Sequence, residues 1–345
     1  MTPAGAAILG CAGLRLTPDE AAFFRDTDPF GFILFARNVA DPDQLRALTG
    51  DLREAVGRDA FVFTDQEGGR VQRLRAPHWT EWAPPLDMVD RTLSLAPPAG
   101  RDAAARRAMW LRYRLIGAEL RAVGIDGNCA PCLDLATPDT HPFLRNRCFS
   151  DRPEGVADLG RAAAEGLLAA GVLPVIKHMP GHGRGTLDSH KDLPVVTAPL
   201  AQLRHSDFAP FQALADLPLA MTAHVVFTSV EPDQPATTSP RMIRMMRDDI
   251  GFVGLLMTDD LSMNALSGTV AARTSAALAA GCDLALHCNG ELPEMEAVMA
   301  AAGRLSAAGA VRAEKALSLR HTPEPVDIAA LRAEFLSLTG GAAHG

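Results

Sequence analysis

Short apolar runs alternate with longer amphipathic stretches along all 345 residues of the chain. The runs at 6–10, 31–35, 60–64, 125–129, 173–177, 218–222, 254–258 and 283–287 have strand length and, apart from 125–129, are largely apolar, as strands buried on both faces of a parallel sheet are. Between them, apolar residues recur at helical spacing over 43–56, 103–123, 153–170, 240–247 and 270–280. Asp, Ser or Pro opens several of these helices. Gly124, Gly171 and Gly281 stand shortly before the next strand, where a left-handed C-cap is expected. The alternation predicts βα units and a parallel sheet. Eight strands suit a barrel, but an open doubly wound sheet has the same local pattern, so periodicity alone does not close one.

The polar residues favour closure. Asp65 and Glu67 follow the third strand, Lys177 and His178 the fifth, His224 the sixth, Asp259 and Asp260 the seventh, and His287 the eighth. In a barrel all these ends face one mouth, whereas an open sheet spreads them along an edge. The expected fold is therefore α/β, a (β/α)8 TIM-type barrel forming a single domain over 1–345. Residues 77–99, with five prolines, read as a long surface excursion, and the last ~20 residues as a peripheral tail.

Composition narrows the class. With 48% hydrophobic and 21% charged residues the chain is globular. A formal charge of -8 without a Lys/Arg run excludes the electrostatic footprint of a nucleic-acid partner. The run ending at Cys11 resembles a lipoprotein cleavage site but has no basic segment before it, so it reads as the first strand. No apolar run has the length of a membrane span. A cytoplasmic monomer without membrane association is expected. The six cysteines sit mostly in apolar stretches and read as reduced thiols. The pair in Cys129-Ala-Pro-Cys132 lacks the second pair of a zinc site and reads as small apolar filler.

Candidate chemistry falls in three clusters. Lys177-His-Met-Pro-Gly-His182-Gly, followed by Asp188-Ser-His190, concentrates cations and imidazoles in a loop that Gly and Pro keep from being a helix. Such a loop suits two readings. Lys177 and His178 can donate to substrate hydroxyls while Asp188 polarises His190 as a proton shuttle. Alternatively His178, His182, His224 and Asp259 can hold a metal, although the Lys177 cation disfavours one and neither an HxH nor an HExxH pattern is present. In Thr258-Asp259-Asp260, adjacent strand positions point to opposite faces, so one aspartate faces the mouth while the other meets backbone or caps a helix. In Asp65-Gln-Glu67-Gly-Gly-Arg70-Val-Gln-Arg73, acids and arginines bracket a glycine turn and suit sugar hydroxyls and an amide carbonyl. Trp79, Trp82 and Trp110 can stack on a sugar or anchor the core and loops, and anchoring is the favoured reading.

Together these motifs, with Gly31-Phe-Ile-Leu-Phe-Ala-Arg-Asn38, resemble glycoside hydrolase family 3, in particular its single-domain bacterial β-N-acetylglucosaminidases of cell-wall recycling. The resemblance covers nearly the whole chain. It implies Asp259 as catalytic nucleophile, His190 with Asp188 as acid/base pair, and Asp65, Arg73, Arg147, Lys177 and His178 as substrate-binding residues, with no metal and no cofactor. Met179 stands where the family usually has Phe, and Cys148-Phe149 fits the pattern after Arg147 only loosely. The implied activity is retaining removal of non-reducing terminal N-acetylglucosamine from peptidoglycan-derived muropeptides, through a glycosyl-Asp intermediate. A phosphorylase, a metal-dependent hydrolase and a sugar-binding sensor remain as alternatives at this stage.

Overall fold

The computed structural model describes residues 3–185, 187, 193–323 and 325–341. Eight parallel strands close into a barrel: β1 (Gly5–Leu9), β2 (Pro29–Leu34), β3 (Phe61–Thr64), β4 (Gly127–Asn128), β5 (Leu173–Met179), β6 (Leu219–Thr222), β7 (Leu255–Asp260) and β8 (Leu284–His287). Each pairs with its neighbours in sequence, and β8 returns to β1 through Ala7 opposite Ala285. All eight expected strands are present. β4 is only two residues long.

Period-two alternation sorts the apolar side chains into two cores. Ile8, Phe61, Phe63, Leu173, Val175, Leu219, Met221, Leu255, Met257, Leu284 and Leu286 fill the barrel. Ala7, Leu9, Val62, Ile176, Ala220, Leu256 and Ala285 pack outward beneath the helices. Both faces are dry, which is why the strands read as continuous apolar runs. Gly127 lets the interior close: a Cβ there would lie 2.2 Å from the Phe63 ring.

Helices Pro42–Val56, Arg101–Arg121, Pro153–Ala169, Pro240–Asp248 and Val270–Ala280 match the expected five. Gly124, Gly171 and Gly281 have φ of 78°, 69° and 116°, a region that strongly favours glycine. Two expectations are corrected. The 77–99 stretch is no simple excursion, because Pro85 opens a helix over Pro85–Leu95 that buries Met88 and Val89. The C-terminal stretch is no tail either. Ile328–Thr339 is a helix whose buried Phe335 ring meets Trp82 edge-on at 5.5 Å, and Arg107 grips Glu334 with two bonds of 2.7 Å. Its apolar face is thereby removed from water. No helix among the described residues is long and apolar enough to cross a membrane.

Candidate active site

The alternation that fills the barrel also aims the chemistry. On β7, Leu255 and Met257 point inward, so Asp259 continues that file into the mouth. On β3, Phe61 and Phe63 do the same for Asp65. A register shift on β5 between Ile176 and Met179 lets both Lys177 and His178 reach the cavity. The hairpin pairing Gln66–Gly68 with Val71–Gln72 brings Arg73 back over Asp65, Nη2 to Oδ2 at 2.9 Å.

The floor is an ion-pair network. Lys177 Nζ lies 2.8 Å from Asp65 Oδ1 and 2.6 Å from Glu67 Oε1. Arg147 donates to both Glu67 oxygens, Nε at 2.9 Å and Nη2 at 2.8 Å, in the bidentate geometry a planar guanidinium allows. Asp134 binds His178 Nδ1 at 2.7 Å and accepts from the His182 backbone N–H at 2.6 Å. Burial works against ionisation throughout. It is more than offset at Glu67 by Arg147 and Lys177, which hold the carboxyl down to about 2, and at Asp65 by Lys177 and Arg73, which hold it well below the carboxylate range. Burial likewise opposes the Lys177 charge, but Asp65 and Glu67 push its pKa up, so the ammonium stays protonated.

Asp259 is also buried. Against that burial, His224, His178, the Asp260 N–H and Lys177 hold its carboxyl below the ordinary value, so the side chain is an anion at neutral pH. Its Oδ1 accepts from Asp260 N at 2.8 Å. Asp260 spends its own carboxylate on Ser262 N, Ser262 Oγ and Cys288 N at 3.0, 2.6 and 3.2 Å. It ties down a turn rather than capping a helix, since the next helix takes its cap from Thr269. Burial keeps His224 neutral; its ring is 3.0 Å from the Asp260 carbonyl through Nε2 and 2.7 Å from Thr237 Oγ1 through Nδ1. A neutral imidazole in that setting donates from Nε2 and accepts at Nδ1, which pins the Asp260–Leu261 peptide, one residue beyond Asp259.

Asp65, Arg73, Arg147, Lys177, His178 and Asp259 thus line one cavity of about 390 Å³ at the C-terminal mouth of the barrel, with Phe35, Arg70 and Phe143 among the other walls. The remaining two expected site residues, Asp188 and His190, lie outside the described residues.

The glycosyl hydrolase family 3 N-terminal domain matches residues 12–316. The chain belongs to this family. A β-hexosaminidase from Bordetella parapertussis is 40% identical over 83% of this chain and 80% of its own length. Another from Xylella fastidiosa is 39% identical over 87% of this chain and 88% of its own. Among solved structures, NagZ from Neisseria gonorrhoeae in complex with N-trifluoroacetyl-D-glucosamine is 29% identical, with a TM-score of 0.86 and coverage of 99% of both chains.

Within this family 3 site, two structural partners went unassigned at the sequence level. Glu67 stood beside Asp65 in the motif, but only the fold shows it gripping Arg147, eighty positions away. Asp134 follows the short strand β4 in an apolar context, and no local signal marked it. The four residues weighed as a metal set are not free to act together: both His224 nitrogens are hydrogen-bonded, and His178 Nδ1 is taken by Asp134. A different trio, Cys132, Asp134 and His178, clusters within 4.8 Å. Burial pushes the Cys132 thiol well above its ordinary value, so in this setting it carries its proton. None of Trp79, Trp82 and Trp110 lines the cavity. Trp82 is buried with Nε1 on Glu119 at 3.2 Å, and Arg107 covers the Trp110 ring. All six cysteines are buried and free.

Proposed function

We propose that this chain is a retaining β-N-acetylglucosaminidase that removes non-reducing terminal N-acetylglucosamine from peptidoglycan-derived fragments in the cytoplasm. Relatives named β-hexosaminidase at about 40% identity support the enzyme class, and the solved relative holding N-trifluoroacetyl-D-glucosamine supports the glycan. The observation that carries the reading is the inward, ionised Asp259 facing a pocket whose other polar groups are of the kinds that donate to and accept from hydroxyls. Asp65 offers acceptor oxygens, while Lys177, Arg147 and His178 offer donors. A sugar entering this network finds fixed partners of both kinds.

In the proposed reaction Asp259 attacks the anomeric carbon, forming a glycosyl ester as the glycosidic bond breaks and His190 gives its proton to the departing oxygen. His190 then takes a proton from water, which attacks the same carbon and releases Asp259. Asp188 stabilises the imidazolium that enters the first step and is re-formed in the second. The assignment of Asp188 and His190 rests on the sequence resemblance.

A p-nitrophenyl β-N-acetylglucosaminide assay, with and without phosphate and chelator, tests the reading. Hydrolysis indifferent to both additions is the expected result. Phosphate-dependent sugar 1-phosphate would replace it with a phosphorylase, and loss with chelator would replace it with a metallohydrolase. Asp259→Ala should abolish turnover, and a 2-fluoro glycoside should label Asp259 in the native enzyme; labelling elsewhere refutes the nucleophile.

A further inference from the structure

His182 lines the same cavity as Asp259 and is 2% exposed, yet among the described residues neither Nδ1 nor Nε2 has a hydrogen-bond partner. Leaving a buried polar atom unpaired forfeits the hydrogen bonds it would make in water, so a ring held in this state is a standing demand for a partner. The ring is also held in place. It meets Phe143 edge-on at 5.6 Å and His178 at 5.9 Å. Its backbone is anchored by the 2.6 Å bond to Asp134 and by Gly185 N donating to its carbonyl at 2.8 Å. Gly185 leaves the ring its space, since a Cβ there would come within 2.9 Å of it. Asp134 therefore orients two imidazoles at once, His178 through its side chain and His182 through its backbone.

The chemistry of the missing partner follows from the charge of the ring. Burial pushes His182 down to about 4, Asp134 opposing, so at neutral pH it offers one N–H and one lone pair. A hydroxyl, which both donates and accepts, matches that pair. A carboxylate could use only the N–H. A cation would have to sit near Lys177 and Arg147. Depth selects the sugar rather than the leaving group, because His182 is buried beside His178 whereas the exposed Arg70 stands at the rim. We infer that His182 exchanges hydrogen bonds with a ring hydroxyl of the terminal N-acetylhexosamine, an inference that rests on the sugar occupying this cavity as proposed above.

The test compares p-nitrophenyl N-acetylglucosaminide with its 3-, 4- and 6-deoxy analogues on wild type, His182→Ala and His182→Asn. His182→Ala should lower kcat/KM for the parent about 10-fold, and His182→Asn, whose amide again carries a donor and an acceptor, should recover to within about 3-fold. One deoxy analogue should cost wild type about 10-fold but His182→Ala less than about 2-fold. Equal deoxy penalties in both proteins, or an Asn variant as impaired as Ala, overturns the role of His182. Absence of parent hydrolysis by wild type overturns the occupancy of the cavity as well. Ring-nitrogen NMR shifts of His182 in the native protein need no variant: they should move on adding N-acetylglucosamine, and unmoved shifts at saturation refute the contact.

Discussion

Replacing Glu67 with Gln probes the network beneath the site. The Glu67 carboxylate is 1% exposed and accepts from Arg147 at 2.9 and 2.8 Å and from Lys177 at 2.6 Å. Burial opposes its ionisation, and the two cations more than offset this, carrying its pKa from 4.5 to about 2. That displacement corresponds to roughly 3 kcal/mol of stability at neutral pH. Because the folded-state value is depressed, the contribution is fully present above about pH 5 and is lost as pH falls toward 2. Gln keeps the shape but removes the charge, and its amide presents a second donor to Arg147, leaving two buried cations undercompensated. In urea titrations at pH 7 the variant should lose roughly 3 kcal/mol, equivalent to a fall of about 4 °C in Tm for a chain of this size. At pH 3 the gap between variant and wild type should narrow. The KM for p-nitrophenyl N-acetylglucosaminide should rise, since Arg147 and Lys177 lose the group that positions them. A variant within about 0.5 kcal/mol of wild type at pH 7, or a gap unchanged at pH 3, would refute the reasoning.

Other substitutions separate positioning from packing. His224→Ala frees the Asp260 carbonyl, so kcat should fall on the order of 10-fold with KM little changed; a change confined to KM would argue against a role in placing Asp259. Gly127→Ala forces a methyl group into the Phe63 ring and should cost about 1–3 kcal/mol in chemical denaturation, while an unaltered midpoint would mean the interior has slack. Phe335→Ala empties the contact with Trp82 and should destabilise by about 3–5 kcal/mol. Wild-type stability in that variant would show that the C-terminal helix is only loosely docked.

The resemblance in the motifs and the strand periodicity pointed to much of the site before any tertiary information. Inward alternation is a local property: once Leu255 and Met257 are known to face the barrel, Asp259 must follow them, and the same holds for Asp65 after Phe61 and Phe63. Helix caps are local too, so Gly124, Gly171 and Gly281 were legible. The Pro85–Leu95 helix was harder to see because five prolines in one stretch suggest a loop, although a proline in a first turn lacks only an N–H the helix does not use.

By itself, then, the amino-acid sequence determined the order of the eight strands, the inward face of Asp65 and Asp259, and the motifs of the family 3 pocket. Closure of the barrel, the grip of Glu67 on Arg147, the shared use of Asp134 by two imidazoles and the docking of Phe335 were decided only in three dimensions. The physical reason is range. Periodicity and capping act over one or two turns of chain, so they leave a readable local pattern. The Asp134 and Glu67 contacts and the last helix join positions 44 to 253 residues apart, through contacts that each depend on how every intervening strand is placed.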